Sequence, residues 1–143
     1  MTQRIVIDCE MRGSMPATLQ AVEEFLVEFG RRSRALLVPQ NCFAVELLIR
    51  EALTNAVVHG CRQNPDKQVR CCLRLRAGRL LVVVADEGAG FDWRSARGAR
   101  AGIPDSSGRG MEILHRYANH VHFNDRGNVV TMIKQLERGK PND

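Results

Sequence analysis

Three stretches of this 143-residue chain carry residue types and spacings that could do chemistry. The first is EALTNAVVHG, residues 51 to 60, where Glu51, Asn55 and His59 recur at i, i+4 and i+8. On an α-helix these three line one side, each about 40° on from the last. A carboxylate in that row can take the proton of a reacting hydroxyl. An amide oxygen one turn on is a hard ligand suited to Mg2+, which keeps several waters and bridges to phosphates. His59 can donate to a phosphate oxygen or close the helix end. The second stretch is ADEGAGFD, residues 85 to 92, in which Asp86, Gly88 and Gly90 form D-x-G-x-G after an apolar run. A buried Asp there can accept a hydrogen bond from an exocyclic amino group such as that of adenine. The glycines let the backbone approach a bulky ligand. The third is SSGRGMEIL, residues 106 to 114, with Gly108 and Gly110 flanking Arg109 at the start of a helix. Free N–H groups and the helix dipole make such a start a seat for phosphate.

Each stretch alone also has an ordinary explanation: a solvated helix face, a strand-ending turn, a flexible helix lead-in. None is a P-loop, because G-x-x-x-x-G-K-[ST] does not occur. Nor is any a dinucleotide fingerprint, since the last glycines follow a long loop and not a βα turn.

The elements that must position these residues follow from periodicity. RIVIDCE alternates, with Ile5, Ile7 and Cys9 on one face, and predicts a first strand ended by a turn at RGSM. A helix over about 16–32 starts near Pro16 and carries Leu19, Val22, Phe25, Leu26 and Phe29 inward; Gly30 and the arginines after it end it. A second helix runs from about Pro39 to His59, with Gly60 as its terminating glycine. QVRCCLRLR places Val69, Cys71, Leu73 and Leu75 on one face and its arginines on the other. Ala77 and Gly78 turn into RLLVVVADEG, whose continuous apolar run predicts a central strand covered along its length. Residues 91–110 are poor in apolar side chains and predict a long mobile loop. A short helix at 110–120 and a hairpin turning at DRGN complete the chain. The order β-α-α-β-β-loop-α-β-β predicts an α+β fold: a two-layer sandwich, its sheet mixed but mostly antiparallel, its helices on one face.

Composition narrows the function classes. The chain is 44% apolar and 26% charged, as expected of one globular domain. No stretch approaches the roughly 18 apolar residues of a membrane span, and MTQRIVIDCE has no secretory apolar region. Five cysteines, Cys9, Cys42, Cys61, Cys71 and Cys72, form no C-x-x-C pair and suit reduced core thiols in a cytoplasm. The net charge of +5 gathers in two arginine clusters, Arg70, Arg74, Arg76 and Arg79, then Arg94, Arg97, Arg100 and Arg109. Such clusters suit nucleic acid, an acidic protein or a phosphorylated small molecule. Strict alternation makes the first a solvated sheet face, and with little aromatic interleaving direct nucleic-acid binding is not expected. His115, His120 and His122 have no metal-ligand partners nearby and suit surface or packing roles.

The order of the motifs decides among these readings. E-x-x-x-N on a helix, D-x-G-x-G after a strand, a lid-like loop and G-x-G opening a helix, all within about 60 residues, resemble the GHKL ATP-binding superfamily (gyrase, heat-shock chaperones, histidine kinases and mismatch-repair ATPases). EALTNAVVHG looks like its N-box, DEGAGFD its G1 box and GRGMEIL its G2 box. The small size, short lid and E-A-x-x-N-A-x-x-H-G form resemble the bacterial anti-sigma-factor serine kinases. That resemblance implies a single Bergerat-type ATP-binding domain over 1–143, with an ATP lid at 92–109 and a tail at 137–143. It implies ATP and Mg2+ as cofactors, with Glu51 as general base and Asn55 as Mg2+ ligand. Asp86 then recognises adenine; Gly88, Gly90, Gly108 and Gly110 line the nucleotide; His59, Arg109 and a lid arginine (Arg94, Arg97 or Arg100) meet phosphate. The implied partners are a sigma factor, an anti-anti-sigma (STAS-domain) protein phosphorylated on serine, and a second copy in a homodimer, all without a membrane. A non-catalytic ATP-binding partner-switching module is the alternative. One departure stands out: where the family often has Gly-Thr-Thr, with a Thr holding adenine, this chain has Gly127-Asn128-Val129.

Overall fold

The computed structural model of the chain describes residues 9–89 and 106–137. Its elements are β1 (Cys9–Pro16), α1 (Leu19–Leu36), α2 (Pro39–Asn55), a π-helical turn (Ala56–Gly60), β2 (Gln68–Arg76), β3 (Arg79–Asp86), α3 (Ser106–Tyr117), β4 (His120–Phe123) and β5 (Val129–Gln135). The α+β order is as expected. The sheet runs β1-β2-β3-β5-β4, and each of its four pairings is antiparallel. The parallel component of a mixed sheet is absent among the described strands. No helix among the described residues is long and apolar enough to cross a membrane.

The first strand differs most from its sequence reading. RGSM is not a turn: β1 pairs with β2 across eight consecutive positions, with Gly13 opposite Cys71. Gly13 is required by packing and not by a bend. A Cβ on it would lie 2.6 Å from the Phe25 ring, which covers this part of the strand. Pro16 is the last residue of β1, an edge strand where a missing N–H is tolerated. Helix α1 starts instead at Leu19, capped by Thr18, whose Oγ1 accepts from the Ala21 N–H at 3.1 Å. It continues through Gly30 to Leu36, because Phe29 and Ser33 on either side are both buried against the core. A helical glycine costs about 1 kcal/mol, which burial of that face outweighs.

Helices α1 and α3 pack on α2, and the π turn packs on β3, so one face of the sheet is covered. Val69, Cys71, Leu73, Val82, Val84, Val130 and Met132 point into that layer, where Leu48, Ile49, Leu53 and Leu114 meet them. Burial in this layer pushes the Cys71 thiol up to about 12, whereas Cys72 faces the other side and is half-buried. The arginines of β2 lie on the exposed side as expected. Strand β3 is central, yet among the described residues only one face is covered by helices: Leu81, Val83 and Ala85 remain half-buried on the other side. Its continuous apolar run does not therefore report burial on both faces.

Two side chains lock the ends of the layer. Buried Asn41 donates to the Glu137 carbonyl at 2.8 Å and accepts from its N–H at 3.0 Å, tying the start of α2 to the chain beyond β5. Lys134 on β5 donates to the Tyr117 carbonyl at 2.8 Å, placing a cation at the C-terminus of α3. The first strand at Ile5 and Ile7, much of the lid and most of the tail lie outside the described residues.

Gly13→Ala is expected to lower stability by about 1–3 kcal/mol through overpacking against Phe25. Phe25→Leu in the same chain should recover part of that loss, read from urea unfolding of both single variants and the double variant.

Candidate nucleotide site

Helix α2 turns its Leu48, Ile49, Ala52 and Leu53 inward, which fixes the rotation of Glu51 and Asn55. Asn55 is buried at 6% exposure and Glu51 is half-buried. The carboxyl of Glu51 titrates above the usual carboxylate range because burial disfavours its charge, and the neighbouring Arg50 only partly offsets this. Arg50 is itself paired with Glu23 and Glu46, so its charge is shared. Asn55 contrasts with Asn41. Its Nδ2 is buried and has no hydrogen-bond partner among the described residues. An unpaired buried amide costs about 1–3 kcal/mol and signals an unmet partner. A half-turn of the amide exchanges its two ends, so the same position can present a carbonyl oxygen to a hard cation.

Beyond Asn55 the helix changes pitch. Ala56–Gly60 forms a π turn, closed by the Cys61 N–H on the Ala56 carbonyl at 2.8 Å. Such wide turns recur at functional sites. His59 lies in this turn and is half-buried, so it does not continue the even 40° drift of an α-helical row.

The π turn brings Gly60 and Cys61 to the end of β3. A Cβ on Gly60 would lie 2.6 Å from Asp86 Oδ2, and one on Gly88 would lie 1.9 Å from the Gly60 carbonyl oxygen. Both positions must therefore be glycine for the helix end and strand end to meet. Asp86 Oδ1 accepts from the Gly88 N–H at 2.8 Å and from the Cys61 thiol at 3.9 Å. Burial raises the Asp86 carboxyl above its ordinary range, against the opposing effect of those two donors. The backbone N–H of Asp86 donates to the Asn128 carbonyl at 2.9 Å, so the last hairpin also anchors the acid. The side chain of Asn128 is turned into that hairpin, where its Oδ1 accepts from Asn124 Nδ2 at 2.6 Å. Asn124 Oδ1 in turn accepts from the N–H groups of Asn128 and Val129.

Gly108, Arg109 and Gly110 are the third to fifth residues of α3, which begins at Ser106, ahead of the expected 110. The two glycines lower local helix propensity enough to hide that turn from a pattern reading, while packing of α3 on α2 sustains it. They thus lie within the helix and not before it, close to its unpaired N–H groups. Gly90, Arg94, Arg97 and Arg100 lie outside the described residues. By sequence Cys61 reads as a small core thiol and Gly60 as a helix stop; the structure adds both to the surroundings of Asp86. The available signal is that Gly60 closes the N-box and Cys61 follows it.

A family model for the histidine kinase-like ATPase domain matches residues 14–134. The chain belongs to this family. Its curated relatives lie in the anti-sigma-factor kinase branch that the motifs resemble. The chain is 24% identical over 140 residues to the serine-protein kinase RsbW of Staphylococcus epidermidis, covering 90% of this chain and 87% of that one. It is 35% identical over 103 residues to the anti-sigma F factor of Shouchella clausii, covering 67% and 70%. Among solved structures, a histidine kinase domain from the Erythrobacter litoralis EL346 blue-light activated histidine kinase superposes with a TM-score of 0.53 at 18% identity. That match covers 85% of this chain and 61% of the other, and supports the shared fold.

The raised Glu51 carboxyl gives a stability prediction with a definite sign. A group titrating higher in the folded state contributes stability that is full below its unfolded value and lost as pH rises through the folded one. Glu51→Gln is therefore expected to be more stable than the parent at pH 7, with the gain shrinking towards zero below about pH 4. Urea unfolding at both pH values checks this; a gain independent of pH would assign it to packing instead.

Proposed function

We propose that this chain is an ATP- and Mg2+-dependent protein serine kinase and anti-sigma factor. It binds a sigma factor in one state and phosphorylates a serine of an anti-anti-sigma, STAS-type partner in another. The observation that carries the reading is the N-box pair: a half-buried Glu51 with a raised carboxyl, one helical turn from a buried Asn55 whose Nδ2 has no partner among the described residues. Relatives named as a serine-protein kinase and as anti-sigma factors support it.

In this reading the domain spans 1–143, with its lid at 92–109 and its tail at 137–143. ATP, when bound, supplies the phosphoryl group and leaves as ADP, and Mg2+ would neutralise charge on its phosphates. Glu51 accepts the proton of the substrate serine hydroxyl, and burial brings its basicity closer to the working pH. Asn55 holds Mg2+ through its amide oxygen. Asp86 accepts from the adenine amino group, and Gly88 and Gly90 give the nucleotide room. Gly108, Arg109 and Gly110, with His59 and a lid arginine, meet the phosphates and neutralise their charge. The half-buried Leu81 and Val83 on the helix-free side of β3, beside the exposed arginines of β2, support assembly into a homodimer. The free thiols are compatible with a cytoplasmic setting.

The test is a pull-down from the source cell with and without ATP, followed by mass spectrometry of recovered small partners. A phosphoserine that forms with the parent and falls by roughly 10²–10⁴-fold with Glu51→Ala, while ATP affinity is kept, is the expected result. ATP-dependent partner exchange with no phosphate after long incubation would replace the kinase by a non-catalytic switching module. Full phosphorylation by Glu51→Ala would remove Glu51 as the base.

A further inference from the structure

The surroundings of Asp86 contain a group that the motif reading does not use. Cys61 is buried, and its Sγ lies 3.9 Å from Asp86 Oδ1, the same oxygen that takes the Gly88 N–H at 2.8 Å. Both donors thus converge on Oδ1, and the whole carboxyl group lies against the place where Gly60 has no side chain, with Oδ2 at 2.6 Å and Oδ1 at 2.8 Å from a Cβ there. The thiol is delivered there by the π turn, whose closing hydrogen bond is made by Cys61's own N–H. The position therefore follows from backbone geometry and not from a side chain free to wander.

We infer that Cys61 is a positioning residue for base recognition: its thiol holds Asp86 Oδ1 and so aims Oδ2 at the exocyclic amine of the bound base. This rests on the proposed role of Asp86 toward adenine. A carboxylate held by one donor can swing about its Cβ–Cγ bond; two donors on one oxygen from different elements, the strand-end turn and the helix end, fix its plane. Cys61 remains a protonated donor, because burial and the nearby Asp86 charge both raise its thiol. The turn N–H groups of Glu87 and Gly88 and the charge of Lys67 oppose that shift without reversing it. A thiol is a weaker donor than a hydroxyl. It therefore biases the carboxylate while adding little competition for the ligand.

Two measurements test this with Cys61→Ala and Cys61→Ser in the full chain. In the free protein, carbon NMR titration should show the Asp86 carboxyl titrating higher in Cys61→Ala than in the parent, and returning with Cys61→Ser. With nucleotide, calorimetry should show the preference for ATP over the inosine triphosphate, which lacks the exocyclic amine, falling about 3–10-fold in Cys61→Ala, a loss of the order of one weak hydrogen bond. Cys61→Ser should restore most of that preference. An unchanged Asp86 titration, or equal loss of both nucleotides in a variant that unfolds normally, would overturn the role of Cys61. A parent chain that binds both nucleotides equally, and is indifferent to Asp86→Asn, would instead overturn the adenine role of Asp86; the free-protein titration would still report on the thiol. If Cys61→Ala does not fold, Cys61→Ser and the parent carry the comparison, and a serine variant whose Asp86 titrates above the parent's would contradict the inference.

Discussion

The contact on which the site depends is between two backbones, at Gly60 and Gly88. A methyl group on Gly88 would sit 1.9 Å from the Gly60 carbonyl, and one on Gly60 would press on the Asp86 carboxylate. The end of the helix bearing Glu51 and Asn55 can reach the end of β3 only because neither position has a side chain. From that approach follow the burial of Asp86, the closeness of Cys61 and the placement of the N-box row beside the strand mouth. Burial then sets the electrostatics, since it raises the carboxyls of both Glu51 and Asp86.

The hydrophobic layer serves this junction. Leu48, Ile49 and Leu53 hold α2 against the sheet, and the same rotation turns Glu51 aside and leaves Asn55 Nδ2 buried without a partner among the described residues. Asn41, on the same helix, shows what a satisfied buried amide looks like here, with both of its ends on the Glu137 backbone. A chain that meets the needs of one asparagine fully and leaves another open has spent stability at the second position, as binding sites commonly do.

Much of this was legible in the residues. The alternation of Val69, Cys71 and Leu73 against arginines gave the face of β2, and helical spacing gave α1 and α2, because burial on one side writes a period into sequence. Two of the three motifs placed Glu51, Asn55 and Asp86 on the helix and the strand end where they lie. What stayed hidden was non-local. Gly13 looks like a turn residue and is a strand residue beneath Phe25, a contact no local window contains. Gly30 looks like a helix end but lies within a helix held by packing on both sides. The apolar run of β3 reads as a central strand covered along its length, and among the described residues that cover lies on one face. The π turn leaves no periodic signature in five residues, yet it decides where His59 and Cys61 go.

The hairpin at the end of the chain holds Asp86 through one backbone bond, from its N–H to the Asn128 carbonyl. Asn128 is in turn set by Asn124, and Gly127 turns the chain at φ 74° to bring them together. Those three positions are thus one exchangeable unit. A different hairpin could be grafted here as a block, provided that it presents a carbonyl at the same point. Changing its members one at a time would pass through sequences in which the acid has lost its support.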